Sequence, residues 1–247
     1  MNKSLEDQYK IVNGRSEVTH AILTGETRFK KAQKIYSILN NERQLNSAQL
    51  LDIGAGSGHI AQAFTNYGCT VESVDLCDLR QVKHGYNFQL YDGTTLPYID
   101  ASFDIVITNH VIEHVDSQQD HLDEIYRVLK PGGICYLATP NKFTLMEPHY
   151  RLFFLSWPTK ALSSFYLKLI KNKVWDIKPL KLSNIQKIAQ KRFEIKDISP
   201  LILSDPSKYN LDMMPKLHFI FKMIPVSFWK LVSPLLPTMI LIMIKKA

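Results

Sequence analysis

Short apolar runs and amphipathic segments alternate along the chain, a pattern typical of a mainly parallel sheet covered by helices. The clearest example begins with the apolar run 50–53, which contains Asp52 and leads through Gly54, Gly56 and Gly58 into the helical pattern that starts at His59. This order predicts a buried first strand, a tight turn and the first turn of a helix. Glycine at alternate positions permits positive φ angles and lets a ligand approach the main chain closely.

Further apolar runs extend the sheet. The strands predicted after the first one are Cys69–Leu76, Tyr86–Leu90, Phe103–Ile107, Ile134–Thr139, Phe193–Ile198 and an antiparallel strand within Pro237–Lys246. The fold expected is α/β: a Rossmann-like, doubly wound, seven-stranded sheet that is mostly parallel and has an antiparallel last strand. A helical, aromatic-rich lid insertion is expected after strand five.

The segments between the strands predict several helices. Amphipathic periodicity begins at Thr24 and stops near the Asn40-Asn41 pair, and further helices are expected after Gly58, around Ile125, and over Ala161–Lys171 and Leu182–Ala189. Residues 201–236 are expected to be irregular, because their prolines interrupt any long helix. The uncharged run 231–244 is too short to span a bilayer.

Charge divides the chain of 247 residues unevenly. The net charge is +7, yet residues 141–247 hold 18 Lys and Arg against 6 Asp and Glu, together with all three tryptophans. This basic, aromatic half suits an anionic ligand, a membrane surface or nucleic acid, although a solvated lysine-rich surface has the same composition. No nucleic-acid recognition motif is visible and no nucleic-acid partner is expected, although the basic half leaves RNA open. Cys69, Cys77 and Cys135 lack metal-ligand spacing and are expected to be buried thiols.

Acids placed near the glycine turn indicate the type of ligand. The pattern G-x-G-x-G has its third glycine one residue earlier than the dinucleotide pattern G-x-G-x-x-G, which favours a nucleoside carrying an amino acid. Asp75 ends the second predicted strand, where its carboxylate can accept hydrogen bonds from ribose hydroxyls. Asp92-Gly93 follows the third strand and can contact an adenine ring.

The glycine turn resembles the signature loop of class I S-adenosylmethionine-dependent methyltransferases, and three further motifs extend the resemblance over residues 47–141. They are Asp92-Gly93 with Leu96-Pro97 and Ser102-Phe103-Asp104, then Glu113-His114-Val115, then Leu129-Lys130-Pro131-Gly132-Gly133. The resemblance implies S-adenosylmethionine as cofactor. The cofactor-binding residues expected are Asp52, Gly54, Gly56, Gly58, Asp75, Leu76, Asp92, Gly93, Asn109 and His110.

Methyl transfer to oxygen needs a base, and histidine is suited to that task near neutral pH. His114 and His149 are the candidates for the catalytic base, with His110 third. Glu147, Tyr150 and Trp157 are expected to contact the substrate. The ubiquinone-biosynthesis O-methyltransferases have a further acid where this chain has His110, and no metal site is expected here.

The sequence therefore predicts four regions. Residues 1–46 form a helical cover, 47–141 bind the cofactor, 142–192 form a lid and substrate insertion, and 193–247 supply the last strands with a proline-rich apolar insertion. The activity expected is O-methylation of a small-molecule, glycan or lipid-linked acceptor. A ubiquinone-type phenol O-methyltransferase and a non-catalytic, S-adenosylmethionine-binding peripheral membrane protein are the alternatives. A cytoplasmic location is expected, with membrane contact through the basic half, around Phe219–Trp229, left open.

Overall fold

The structure is a computed structural model that describes residues 25–246. Nine strands run in chain order: β1 (Gln49–Ile53), β2 (Thr70–Asp75), β3 (Asn87–Leu90), β4 (Phe103–Asn109), β5 (Leu129–Pro140), β6 (Met146–Glu147), β7 (Leu152–Phe153), β8 (Phe193–Asp197) and β9 (Thr238–Lys245). Eight α-helices accompany them within the described residues: α1 (Gly25–Glu42), α2 (His59–Asn66), α3 (Gln118–Val128), α4 (Lys160–Lys171), α5 (Leu182–Ala189), α6 (Ser199–Ser204), α7 (Pro215–Met223) and α8 (Val226–Val232).

Seven strands form one sheet in the order β3-β2-β1-β4-β5-β9-β8. The pairs β1–β2, β2–β3, β1–β4 and β4–β5 are parallel, whereas β9 is antiparallel to both β5 and β8. The predicted Rossmann-like sheet with an antiparallel last strand is therefore confirmed. The strand order reverses between β1 and β4, which is the place where open α/β sheets bind ligands.

Apolar side chains cover both faces of the sheet. Leu50 of β1 belongs to one core cluster, which also holds Ile35 of α1 and Phe64 of α2. Leu51, the next residue, points the other way and belongs to a second cluster with Ile125 of α3. In a strand that is buried on both faces, apolar residues do not alternate with polar ones. This explains why β1 and β4 appear in the sequence as almost continuous apolar runs.

Two insertions leave the sheet at the carboxyl ends of the parallel strands. The first, residues 141–192, contains the β6–β7 hairpin, α4 and α5, and the second, residues 198–237, contains α6 to α8. They meet where β5 ends: the Asn141 side-chain amide donates to the Ser233 carbonyl at 2.9 Å, and Pro140 pairs with Thr238. Both insertions therefore lie at the edge that carries the glycine turn. The first insertion adds the β6–β7 hairpin to the helices expected of the lid, and closure of this insertion over the site stays a prediction.

The expectation that residues 201–236 are irregular was wrong. This segment contains α7, α8, the end of α6 and a 3-10 turn over Ser233–Leu235. Proline ends a helix only when it falls inside one. Here prolines occupy first-turn or capping positions, as Pro200 and Pro234 do, where the missing N–H costs nothing.

The start of strand five was also placed too late. The structure begins β5 at Leu129, directly after α3, so the Pro131-Gly132-Gly133 sequence lies inside the strand rather than in a preceding turn. The β4–β5 register shifts between Phe103 and Ile105, which accommodates the irregular stretch. The other predicted strands and helices of the described residues agree with the structure to within two residues, and the three cysteines are buried and unpaired.

Helix α1 lies against α2, and aromatic rings join them. The ring centroids of Tyr36 and Tyr67 are 4.2 Å apart, and those of Tyr36 and Phe64 are 6.3 Å apart. The predicted helix near the glycine turn is thus present, while residues 1–24 of the predicted cover lie outside the described part. None of the helices within residues 25–246 is both long and apolar enough to cross a bilayer.

We expect Gly58→Ala to lower the free energy of unfolding by about 2–4 kcal/mol. Gly58 has φ +81°, and a Cβ there would lie 2.2 Å from the Tyr86 hydroxyl and 2.3 Å from the Val82 carbonyl oxygen. Gly132→Ala is a matched control, because Gly132 has φ +71° but no atom within 4 Å of the added Cβ. Denaturant unfolding should show the smaller loss for Gly132→Ala; equal losses would contradict the contact argument.

Candidate active site

The glycine turn connects β1 to α2 through three left-handed residues. Gly54, Gly56 and Gly58 have φ angles of +83°, +49° and +81°, a region that L side chains rarely adopt. Backbone hydrogen bonds fix the turn, because the Gly54 N–H donates to the Val74 carbonyl at 2.8 Å. Above Gly56 there is open space, since the nearest atom to an added Cβ would be the Gly54 carbonyl oxygen at 3.9 Å. A ligand can therefore lie directly on the main chain here.

Asp75 lies beside this turn at the carboxyl end of β2. One carboxylate oxygen accepts from the Gly56 N–H at 2.9 Å, and the other accepts from the Leu76 N–H at 2.7 Å. Burial raises the pKa of Asp75, while these backbone donors act in the opposite direction. Each oxygen has a further lone pair, so the carboxylate is oriented and can still accept hydrogen bonds from two ribose hydroxyls.

Two buried polar atoms near the turn have no hydrogen-bond partner among the described residues: Asp52 Oδ2 and Asn109 Oδ1. Asp52 is on β1 and Asn109 ends the adjacent strand β4. Unpaired buried oxygens are uncommon, and both of these are acceptors. A cationic ligand with donor groups would satisfy them, so the residues fit the ammonium and sulfonium charges of S-adenosylmethionine.

Asp52→Asn should remove a pH-dependent penalty on folding. Burial, and then the charge of Asp75, raise the pKa of Asp52 from 3.8 to about 8. Between those values the folded protein keeps a proton that the unfolded chain has released, so stability falls as the pH rises. Compared with Asp52→Asn, we expect the free energy of unfolding of the cofactor-free wild type to fall by roughly 2–5 kcal/mol between pH 4 and pH 8. Urea unfolding of both proteins across this pH range measures the difference. A difference that does not change with pH would contradict the raised pKa of Asp52.

The predicted adenine contacts lie at the end of β3. Gly93 has φ +83°, and an added Cβ would lie 2.9 Å from Leu76 Cδ2, so these two predicted cofactor residues are neighbours. Asp92 is exposed, and one oxygen accepts from the N–H groups of Thr94 and Thr95 at 2.8 and 2.9 Å. These bonds lower the pKa of Asp92 and keep it ionised. An amino group can reach its remaining acceptor sites.

A histidine cluster follows β4. His110 adopts φ +61°, and its backbone N–H donates to the Ala138 carbonyl at 2.8 Å. Its Nδ1 is 3.1 Å from Oε1 of Glu113, whose carboxylate is fully buried. Thr139 donates its hydroxyl to the second oxygen of Glu113 at 3.0 Å. Burial lowers the pKa of His110 despite the neighbouring carboxylate. Backbone strain of this kind in a non-glycine residue is typical of functional sites.

His149 completes the cluster from the first insertion. Its Nδ1 is 2.7 Å from Oε1 of Glu147, which is fully buried, and its Nε2 is 3.9 Å from Oε1 of Glu113. Burial disfavours the imidazolium, but the hydrogen bond to Glu147 and the charges of Glu147 and Glu113 outweigh it and raise the pKa of His149. The Glu147 carboxylate requires a proton on Nδ1, which leaves Nε2 as the basic atom of the neutral ring.

His114 lies at the edge of the same cluster, with its ring centroid 5.8 Å from that of His149. The structure therefore brings both predicted bases together. The ligand atoms of His110, Glu113 and His149 all lie within 4.8 Å of one another, so among the described residues these side chains could share a cation. The sequence reasoning expected no metal site and did not anticipate this grouping.

The three predicted substrate residues have different surroundings. Glu147 holds His149, as described, and also accepts from the Tyr150 N–H at 2.6 Å. Tyr150 is buried and donates its hydroxyl to Asp176 at 2.8 Å; substrate contact by Tyr150 stays a prediction. Trp157 donates its indole N–H to the Thr144 carbonyl at 2.7 Å. Substrate contact by Trp157 stays a prediction.

Residues that the sequence reasoning missed also face the cluster. Glu113 and Thr139 are among them, although Glu113 was visible within the Glu-His-Val motif. Burial is the main reason why the pKa values of His59 and His110 are lowered. Positive charges on α1 add to this effect: Arg28 acts on His59, and Lys31 acts on His110. Burial also lowers the pKa of Lys31 to about 8. The bases on α1 recur every three residues, a spacing that could have predicted one positive face directed at the site.

The fold and the site define a class: an α/β domain with a nucleoside-type cofactor cradle and an adjacent histidine–carboxylate cluster. Residues 51–137 match the family described as methyltransferase domain. The match covers this segment alone and agrees with the S-adenosylmethionine-dependent class that the sequence predicted; S-adenosylmethionine is the cofactor that this class indicates.

The chain is similar to two curated relatives and to one solved structure. The chain is 33% identical over 105 residues to a malonyl-[acyl-carrier protein] O-methyltransferase of Enterobacter lignolyticus, covering 40% of the chain and 42% of the relative. It is 32% identical over 104 residues to a ubiquinone biosynthesis O-methyltransferase of Caulobacter vibrioides, covering 38% and 41%. The chain thus spans less than half of either relative.

The solved structure is a phosphoethanolamine N-methyltransferase 2 of Haemonchus contortus in complex with S-adenosyl-L-methionine. It is 19% identical with a TM-score of 0.51, covering 87% of the chain and 52% of that protein. At this identity the likeness concerns the fold alone.

Proposed function

We propose that the chain binds S-adenosyl-L-methionine and methylates a hydroxyl oxygen of a small-molecule, glycan or lipid-linked acceptor. The observation that carries the proposal is the position of the His149–Glu147 pair beside His110, at the carboxyl edge that also holds the glycine turn and Asp75. Bound S-adenosyl-L-methionine supplies a methyl group that its sulfonium charge activates toward nucleophiles.

The residues of the chain have separate tasks in this proposal. The open main chain at Gly56 and the carboxylate of Asp75 bind and orient the nucleoside, and Asp52 and Asn109 face its cationic end. His149 Nε2 accepts the proton of the acceptor hydroxyl, while Glu147 keeps the imidazole oriented through Nδ1. Correct positioning of the reacting groups supplies roughly 7–11 kcal/mol of such a barrier.

A hydroxyl acceptor agrees with the residues present. Oxygen must lose a proton as it is methylated, and general bases contribute about 10²–10⁴-fold to such steps. The buried Glu113 and Glu147 carboxylates make the cluster a favourable place for the proton that is released. The similarity to two O-methyltransferases supports transfer to oxygen, and a ubiquinone-type phenol acceptor is the alternative within this reaction class.

The test is to incubate the purified chain with methyl-labelled S-adenosyl-L-methionine and either a polar lipid extract or a panel of phenols and carboxylic acids. Release of S-adenosylhomocysteine that depends on acceptor, with label in a methyl ether, is the expected result; label in a methyl ester would mean a carboxylate acceptor, which needs no base, and would contradict the role of His149. Mild base separates the two, because only the ester releases labelled methanol. Label on nitrogen or carbon would contradict O-methylation.

Two controls separate the competing functions. Titration calorimetry with S-adenosylhomocysteine reports cofactor binding without an acceptor, and binding with no turnover on any acceptor would favour the non-catalytic alternative. A parallel assay with a chelator addresses the grouping of His110, Glu113 and His149. If the chelator abolishes activity and a divalent cation restores it, the acceptor would be activated by binding to the cation. His149 would then not be the base.

A further inference from the structure

Helix α4 buries very little of its apolar surface. Its buried residues are Ser163 and Leu167, and the core cluster beneath them contains Tyr150, Leu155 and Trp175. The opposite side carries three exposed apolar residues, which we call the α4 face: Leu162, Phe165 and Leu169. Phe165 is 66% exposed and Leu169 is 70% exposed. These positions recur at helical spacing, so the apolar side chains form one stripe.

The charged residues that are near α4 in the sequence are all basic. Residues 148–175 contain five Lys and Arg and no Asp or Glu. Lys160, Lys168 and Lys171 lie on α4 itself and are exposed. Exposed apolar side chains flanked by lysines are the composition of a helix that lies in the interface of an anionic bilayer, with apolar groups among the acyl chains and ammonium groups at the phosphates.

The second insertion has the same character. Phe219, Ile220 and Met223 of α7 are exposed, as are Phe228 and Leu231 of α8. Helices α7 and α8 carry Lys216, Lys222 and Lys230 and no Asp or Glu, although Lys222 lies 3.8 Å from Asp205 of the same insertion. Both insertions leave the sheet at one edge and meet at Asn141 and Ser233. A bilayer that contacts the α4 face would therefore lie on the side of the molecule that contains the cofactor cradle.

We infer that the α4 face docks on an anionic phospholipid membrane, with the second insertion as an additional contact. Charge complementarity selects this occupant, because a second copy of the chain would bring two basic segments together. If the proposed function holds, the acceptor is a lipid or lipid-linked molecule that reaches the site from the membrane.

The experiment measures sedimentation of the full chain with phosphatidylcholine vesicles that contain phosphatidylglycerol, and with vesicles of phosphatidylcholine alone. Binding is expected with the anionic vesicles and should weaken as salt is added. Phe165→Ser/Leu169→Ser should reduce the partition constant at least about tenfold. Lys168→Gln/Lys171→Gln should reduce it about fivefold per lysine.

Matched controls replace similar residues elsewhere. Ile99→Ser removes an apolar side chain that is 81% exposed in the loop before β4, and Lys187→Gln/Lys191→Gln removes two charges around α5. Both should bind vesicles as the wild type does. Absence of vesicle binding, equal binding to neutral vesicles, or equal losses in the control variants would each overturn the inference.

Light scattering without vesicles tests whether a second copy of the chain covers the α4 face instead. A dimer that Phe165→Ser/Leu169→Ser dissociates would assign the α4 face to a second copy and overturn membrane docking.

Titration with S-adenosylhomocysteine is independent of all these results. A protein that binds the cofactor and methylates a soluble acceptor but ignores vesicles would leave the proposed function standing and remove the membrane inference alone.

Discussion

Asp75→Ala is expected to weaken binding of S-adenosylhomocysteine by about 30- to 700-fold, which corresponds to roughly 2–4 kcal/mol. The carboxylate has two tasks at the end of β2. It fixes the glycine turn through the Gly56 N–H at 2.9 Å, and in the proposed function its remaining lone pairs accept hydrogen bonds from the ribose hydroxyls. Alanine removes the partners of both the turn and the ribose hydroxyls.

The measurement is isothermal titration of each folded variant with S-adenosylhomocysteine. Asp75→Asn retains one acceptor oxygen and should fall between the wild type and Asp75→Ala. Glu194→Ala, which removes an exposed acid on the edge strand β8, is the control and should bind as the wild type does. Unchanged affinity in a folded Asp75→Ala protein would remove the ribose role of this residue.

His149→Gln is expected to lower kcat by about 10²–10⁴-fold while leaving the affinity for S-adenosylhomocysteine within about threefold. The substitution removes the basic Nε2 atom, whereas the cofactor cradle is built from the glycine turn and Asp75. Glu147→Gln should give a smaller loss, since the imidazole stays but its orienting carboxylate is gone.

The rates are measured as S-adenosylhomocysteine release with the acceptor identified by the labelling assay. His84→Gln changes an exposed histidine that contacts Gln62 and should leave kcat unaltered. Full activity in His149→Gln would reject His149 as the base, and His114→Gln would then test the second predicted base.

The elements around the glycine turn could be predicted from the sequence because their causes are local. Leu50 and Leu51 are apolar on consecutive positions, which indicates a strand buried on both faces, and the sheet confirms it. The glycines at 54, 56 and 58 have positive φ as their spacing required. Asp75 was assigned from its place at a strand end, and parallel strands bring such ends to one edge.

The active-site cluster could be predicted only in part. His110 and Glu113 are near each other in sequence, but their contact with His149 depends on how the segment after β5 returns over the sheet. Periodicity carries no information about such a return. The hydrogen bond of Tyr150 has the same cause: its hydroxyl donates to Asp176, which is 26 residues away, so no local pattern predicts this contact.

What the sequence by itself determined is therefore the set of strands in the cofactor half, the glycine turn, the acid at the end of β2 and the class of domain. Each follows from residues that are close along the chain or from regular periodicity. Only the tertiary structure decided that Glu113 and Glu147 surround His149 and that α4 presents its apolar stripe to solvent. Those features depend on contacts between segments that are far apart in the sequence. Local preferences do not favour one side-chain position over another there, and the packing of the whole chain decides between them.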